Sequence, residues 1–428
     1  MPRPLNTFSY SLEHQPLRES LLAKDRLLLI QDLDGVCMGL VRDPKRRSMD
    51  PEYVRACKQL ERQFYVLTNG EHVGSRGVNV IVDTAFSEQP AGWAEEQGLY
   101  LPGLAAGGVQ FQDCFGAISH PGVSERELAF LESAPQIMLE RLRTQLSQAP
   151  FDLPAATVER LLGIIVLDNA VSPTVNIGSL HDAFADSPAL YPRAQTLAAS
   201  LMDELLARAE QEGLAESFFV HLAPNLGSKG GVERIKPATG DDMGTTDFQL
   251  MVRGAIKEVG VMVLLNHYFF IETGKHPLGA EFNARTAPHD REALLALAEQ
   301  SFDPALMPSI VAVGDTVTSS PRPDAEGHMR GGSDRGFLTL TQELGRRFGT
   351  DNAVVFVDSS GGELNRPGVH PAPRADEKQV PLSALESITD ADDPLKLNVI
   401  FAGGHQEYVA FFIALARAWH GRDQRAKA

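Results

Sequence analysis

The sequence predicts an α/β protein, a Rossmann-like parallel-sheet core interrupted by an inserted α+β lobe, and three observations carry that prediction. Short apolar runs of the doubly buried parallel-strand kind occur at Arg26–Ile30, Ser309–Val313, Ala353–Val357 and Asn398–Ala402. Polar or acidic residues follow the first two at once, in Gln31-Asp32-Leu33-Asp34-Gly35 and in Gly314-Asp315-Thr316. Open α/β sheets bind ligands beyond the carboxyl ends of their strands, so these residues mark a site. Between residues 117 and 225 the texture changes to a mixed order of helices and strands. A single core rarely grows past about 250–300 residues, and 428 residues therefore imply two lobes. The expected division is core over 1–116, inserted lobe over 117–225 and core again over 226–428.

The elements follow in order. Asp50 as N-cap and Pro51 at the first helical position start a helix over Pro51–Gln63. A strand, Phe64–Leu67, ends in Thr68-Asn69-Gly70. Val78–Val82 and Leu99–Leu104 read as shorter strands. In the insertion, Ser124 and Glu127 stand in capping-box spacing and open a helix over Ser124–Gln148. Strands are expected at Leu161–Leu167, Pro173–Ile177 and Phe218–Leu222, with a helix over Ala194–Gln211. Beyond it the pattern predicts a short helix at Val232–Ile235, a strand at Met262–Leu265, and helices over Phe337–Phe348 and His405–Trp419. Gly361–Pro381, rich in Pro and Gly, reads as irregular.

Composition narrows the function. With 39 Lys and Arg against 56 Asp and Glu, the net charge is −17, which opposes binding to nucleic acid or to anionic lipid. Cys37, Cys57 and Cys114 form no CxxC or metal-binding spacing and read as reduced thiols. The first residues lack the apolar stretch of a signal peptide. The most apolar run, Val259–Ile271, has 13 residues and is too short to cross about 30 Å of hydrocarbon. His267 within it reads as a core histidine. The expectation is a soluble, cytoplasmic protein without nucleic-acid or membrane partners.

The chemistry-bearing residues lie at strand ends. Asp32 and Asp34 are one residue apart, so in an extended chain both carboxylates face one way. Such a pair suits division of labour, one as nucleophile and the other as proton donor and acceptor. An Asx-type turn is the structural alternative for the same residues. Thr68, with the free amides of Asn69 and Gly70, reads either as a cradle for phosphate oxygens or as a plain strand-ending turn. Lys229, in Ser228-Lys229-Gly230-Gly231, can neutralise a carboxylate and a phosphoryl group together, with a solvated surface lysine as the alternative. Hard carboxylates at Asp32 and Asp315 suit Mg²⁺. Asp334, in Gly331-Gly332-Ser333-Asp334-Arg335-Gly336, reads equally as a further acid of the site and as an N-cap.

Taken in order, Asp32-x-Asp34, strand-Thr68, Ser-Lys229-Gly and strand-Gly-Asp315 resemble the motifs of the haloacid dehalogenase superfamily of phosphotransferases. The long interval between the second and third motifs is where that superfamily carries an inserted cap. The strings QDLDGVCMGLVRDP, VLTNGEHVGSRGVNVIVDTAF and GDTVTS with RGGSDRGF are similar, more narrowly, to the glucosylglycerol 3-phosphatase family. One departure stands out. The superfamily usually has a second acid four or five residues after the fourth-motif Asp, where this chain has Ser319 and Ser320. Asp324, Glu326 and Asp334 are the nearest acids, and Asp334 is the expected outer-shell metal partner.

The resemblance implies that Asp32 attacks phosphorus, Asp34 serves as acid and base, and Thr68, Asn69, Gly70 and Lys229 bind the phosphoryl group. Mg²⁺ would be held by Asp32, the Asp34 carbonyl, Asp315 and Asp334. The implied reaction is hydrolysis of glucosylglycerol 3-phosphate to a compatible solute used in osmotic stress, with a functional link to the synthase that makes the phosphorylated precursor. Phosphatases of sucrose or trehalose phosphate, a sugar phosphomutase and a non-catalytic binding protein are the alternatives. Glu71, His72, Arg76, His221 and Asn225 are candidate substrate contacts, each with a structural reading beside it.

Overall fold

The computed structural model describes residues 2–427 apart from Asp241, 323–325 and Asn365, with side chains described up to Arg422. The first part of the core contributes β1 (Leu27–Gln31), β2 (Phe64–Leu67), β3 (Gly103–Ala105), β4 (Gln110–Gln112) and β5 (Ile118–Ser119). The inserted segment holds β6 (Val166–Leu167), β7 (Thr174–Asn176), β8 (Phe218–Ala223), β9 (Asn225–Lys229), β10 (Val232–Ile235) and β11 (Asp247–Val252). The core resumes with β12 (Ser309–Gly314), β13 (Thr318–Pro321), β14 (His328–Gly331), β15 (Ala353–Val357) and β16 (Val399–Phe401).

Eight strands form the central sheet in the order β16-β15-β12-β1-β2-β3-β4-β5. All pairings from β16 to β3 are parallel, and the β3-β4-β5 edge is antiparallel. Alternation along each strand divides the core in two. Leu27 and Leu29 join Val311, Val313, Val355, Tyr53 and Phe412 on one face, while Leu28 and Ile30 join Met262, Phe337 and Ala312 on the other. Helices Pro51–Gln59 and Gly404–Lys427 cover the first face, and Lys257–Thr273 and Arg335–Phe348 the second. Both faces are buried, which is why these strands read as unbroken apolar runs.

The inserted segment folds as an antiparallel sheet, β6-β7-β11-β8, backed by helices Glu125–Leu146, Ala155–Ile165 and Leu190–Gln211. The capping box of Ser124 and Glu127 is formed. Because β11 pairs with both β7 and β8, the insertion extends to Val252, not to residue 225. That boundary is corrected, as are five elements, the first being Leu99–Leu104, of which only Gly103 and Leu104 are strand, in β3. Val78–Ala85 is a helix, with Val78, Ile81 and Val82 buried and Val80 exposed, a three-and-four spacing that a strand would not give. Leu161–Ile165 ends a helix, leaving only Val166–Leu167 as strand. Met262–Leu265 lies within helix Lys257–Thr273, which is buried on nearly all sides and so lacks an amphipathic signature. Val232–Ile235 is a strand, because Gly230 and Gly231 at φ +62° and +82° turn the chain back into a β9-β10 hairpin.

Candidate active site

The strand order turns between β1 and β12: the chain proceeds through β2 and β3 to one side and through β15 and β16 to the other. Residues just past these two carboxyl ends meet at the switch point of the sheet. Asp32 follows β1 directly and Asp315 follows β12. Carboxylate oxygens of Asp32, Asp315 and Asp334 all lie within 4.8 Å of one another, and all three residues are buried. Asp334 makes no N-cap bond to its own helix. Its side chain accepts instead from the backbone N–H groups of Asp315 at 2.9 Å and Thr316 at 3.0 Å. Gly35 is required here: at φ +80°, a Cβ on it would stand 2.2 Å from the Asp315 carboxylate.

The cation answering this cluster is Lys257, from the first turn of the helix that follows the insertion. Its Nζ lies 2.7 Å from Asp32 Oδ2 and 2.7 Å from Asp334 Oδ1, and the side chain is 2% exposed. Asp32 Oδ1 accepts from the Leu33 N–H at 2.8 Å. Burial raises Asp32, with Asp334 adding to it and Lys257 opposing it. Burial also raises Asp315, reinforced by the charges of Asp334 and Asp32. For Lys257 burial alone would lower the pKa, and the two carboxylates override it, so the ammonium is held above its ordinary range. Three buried carboxylates face one ammonium, a site short of positive charge.

Lys229 is not part of this arrangement. It sits exposed at the turn end of β9, opposite Val232. Its Ser-Lys-Gly-Gly string encodes a hairpin turn and not the mouth of a helix. Lys257 was missed because the apolar run beginning at Val259 hides the helix that carries it. The available signal was a lysine two residues ahead of that run.

The remaining motif residues gather at a crevice between the two sheets. Asp34 is a third exposed and receives Arg47 Nη1 at 3.0 Å, while Arg47 is itself nearly buried. Thr68 Oγ1 accepts from the Gly70 N–H at 3.2 Å. The Asn69 amide reaches across to His221 Nε2 at 2.8 Å, and His221 Nδ1 lies 2.9 Å from Glu233 Oε1. Burial disfavours protonation of His221, and the Glu233 carboxylate outweighs it, leaving the imidazole above its ordinary value. Glu71 and Arg76 tie core to insertion. Glu71 accepts from the N–H groups of Ala170, Val171 and Ser172 at 2.8–2.9 Å, and Arg76 pairs with Asp168. His72 is fully buried beside the Gly103 carbonyl and Gln112, and Asn225 bonds the Leu222 carbonyl and Glu233. These bonds give each a structural role, and Glu71 and Arg76 also line the crevice. Ser319 bonds Asp390, and Asp324 falls outside the described residues.

Two acids one residue apart after the central strand, met by a lysine from the helix after the insertion, form the arrangement shared by the haloacid dehalogenase superfamily, and the fold is of that type. Residues 26–416 match the family model described as glucosylglycerol-phosphate phosphatase. The chain is 48% identical over 406 residues to the glucosylglycerol-phosphate phosphatase of Synechocystis sp., spanning 94% of this chain and 95% of that one. It belongs to the glucosylglycerol-phosphate phosphatase family, a family of phosphoric monoester hydrolases. Among solved structures, the trehalose-6-phosphate phosphatase C-terminal domain of C. albicans aligns at 12% identity and a TM-score of 0.45, covering 96% of this chain and 99% of that one. The Aspergillus fumigatus trehalose-6-phosphate phosphatase aligns at 10% identity and a TM-score of 0.38, with the same coverage. Among the described residues, no helix is long and apolar enough to cross a membrane.

Proposed function

We propose that this chain hydrolyses glucosylglycerol 3-phosphate to glucosylglycerol and phosphate. Asp32 attacks phosphorus and the ester oxygen leaves, taking a proton from Asp34. The resulting aspartyl-phosphate is then cleaved by a water that Asp34 deprotonates, which restores both carboxyl groups. Lys257 favours the ionised form of Asp32 against its burial and supplies positive charge beside the nucleophile. Thr68 and the Asn69 backbone amide cradle the phosphoryl oxygens, with the Gly70 N–H holding the Thr68 hydroxyl in place. Arg47 orients Asp34. The observation that most supports this reading is the Lys257 bridge to both Asp32 and Asp334 in a chain matched to the family over nearly its full length.

The excess of buried carboxylate over ammonium suits a hard divalent cation. Asp32, Asp315, Asp334 and the Asp34 carbonyl would hold Mg²⁺, which when bound supplies charge stabilisation for the phosphoryl group. The insertion acts as a cap that excludes water from the crevice and reads the leaving group. The neutral product fits a compatible solute made in the cytoplasm under osmotic stress, from a precursor supplied by its synthase.

The test compares kcat/KM for glucosylglycerol 3-phosphate with that for glycerol 3-phosphate, trehalose 6-phosphate and sucrose 6-phosphate, with and without exhaustive chelation. The expected outcome is a preference of about tenfold or more for the first, lost on chelation and restored by Mg²⁺. Preference for another ester would refute the substrate, and a rate unmoved by chelation would refute the metal.

A further inference from the structure

The cap sheet turns two different faces to its surroundings. Along β11, Phe248 and Leu250 are fully buried with Phe130, Leu131 and Leu201 of the backing helices. Asp247 and Gln249 point the other way and line the crevice. In register, Asp247 stands between Asn176 on β7 and Ala223 on β8, and Gln249 between Thr174 and His221. The wall opposite the catalytic acids is thus a row of a carboxylate and amides, raised on a strand whose other face is locked into a core.

The row has hydrogen-bonding capacity to spare. Asp247 accepts from Asn176 Nδ2 at 2.8 Å and from Thr246 Oγ1 at 2.7 Å. A carboxylate offers about four acceptor positions, so about two remain. Gln249 donates to Thr174 Oγ1 at 3.2 Å, yet its Oε1 has no partner among the described residues although the residue is only 6% exposed. A buried acceptor left unmade is costly unless a ligand completes it. Arg366 braces the row, donating to the Gly244 carbonyl at 3.2 Å and to Thr246 Oγ1 at 2.8 Å. Asp34 lies close enough across the crevice for its charge to act on Asp247.

We infer that Asp247 and Gln249 form the hydroxyl-reading surface of the enzyme, accepting hydrogen bonds from hydroxyls of the polyol leaving group that Asp34 protonates from the opposite wall. The inference deepens the proposed function and rests on it. Acceptors of this kind discriminate strongly, because an analogue lacking the hydroxyl leaves them unpaired.

The experiment measures kcat/KM for glucosylglycerol 3-phosphate and for p-nitrophenyl phosphate, which has no hydroxyl to read, in the wild type, Asp247→Asn and Gln249→Met. The ratio of the two values should fall by about tenfold or more in each variant, chiefly through KM for the sugar ester. A ratio unchanged within about twofold would overturn the inference, whether both rates survive or both fall together as a purely structural role requires. Should a variant melt early, deoxygenated analogues assayed on the wild type decide the matter. Loss of about tenfold at one hydroxyl or more supports the row, and a flat profile overturns it. Failure of the underlying reading looks different: the wild type itself would show no preference for the sugar ester, and the inference would fall with it.

Discussion

On the core side of the crevice, Asp32, Asp315 and Asp334 are buried against one another around a single ammonium. On the cap side the partners are mostly neutral: Asn176 donates to Asp247, and Gln249 donates to Thr174. Burying charge costs several kcal/mol per ion unless it is paired, whereas hydrogen-bonded amides are cheap to bury. The costly wall stands where a charged phosphoryl group must be stabilised in transit. The other wall, with one carboxylate and an unpartnered amide oxygen as its acceptors, stands where a neutral polyol must be recognised. Parallel strand ends hold the first rigidly, and a four-stranded antiparallel sheet, joined to the core through Glu71 and Arg76, carries the second.

The comparison breaks most completely at Asp32. Asp32→Asn should lower kcat by about a thousandfold or more with the fold intact by circular dichroism, since an amide cannot form the acyl-phosphate. Lys257→Met is next. It should reduce kcat by about a hundredfold or more and lower the melting temperature, because two buried carboxylates lose their counter-charge. Lys229→Ala should stay within about twofold in rate, as an exposed hairpin residue would. Equal effects at the two lysines would undo the distinction drawn between them.

The joint between the walls is sharpened by Glu71→Ala, which strands the backbone N–H groups of residues 170–172. A stability loss of about 2–3 kcal/mol in urea unfolding is expected. An effect of similar size, confined to acid, concerns His72, a buried residue whose pKa desolvation pushes down to about 4. The unfolded chain binds this proton near pH 6.5, so stability is intact above that and is lost as pH falls from about 6.5 towards 4, by as much as about 3 kcal/mol. Melting curves at pH 7 and pH 4.5 should converge less in the wild type than in His72→Asn. Equal losses would put the acid sensitivity elsewhere.

The core was the more legible wall. Strands buried on both faces, such as Leu27–Gln31 and Ala353–Val357, announce themselves as unbroken apolar runs, and Asp32, Asp34, Thr68 and Asp315 follow from their ends. Two-sided burial also caused the errors. A helix enclosed on nearly all sides, like Lys257–Thr273, shows no polar face, and its apolar centre resembles a strand. Lys257 meets Asp32 only across the whole insertion, so no local spacing records the pair. The cap's reading face is encoded in the cross-strand register of β7, β11 and β8, which a one-dimensional pattern does not contain.

The most direct test of the account traps the covalent intermediate. Enzyme mixed with glucosylglycerol 3-phosphate, quenched in acid and reduced with borohydride should yield homoserine at position 32, located by peptide mass mapping, and none in Asp32→Asn. Homoserine at another position, or full turnover by a folded Asp32→Asn variant, would contradict the assignment of Asp32 as the nucleophile.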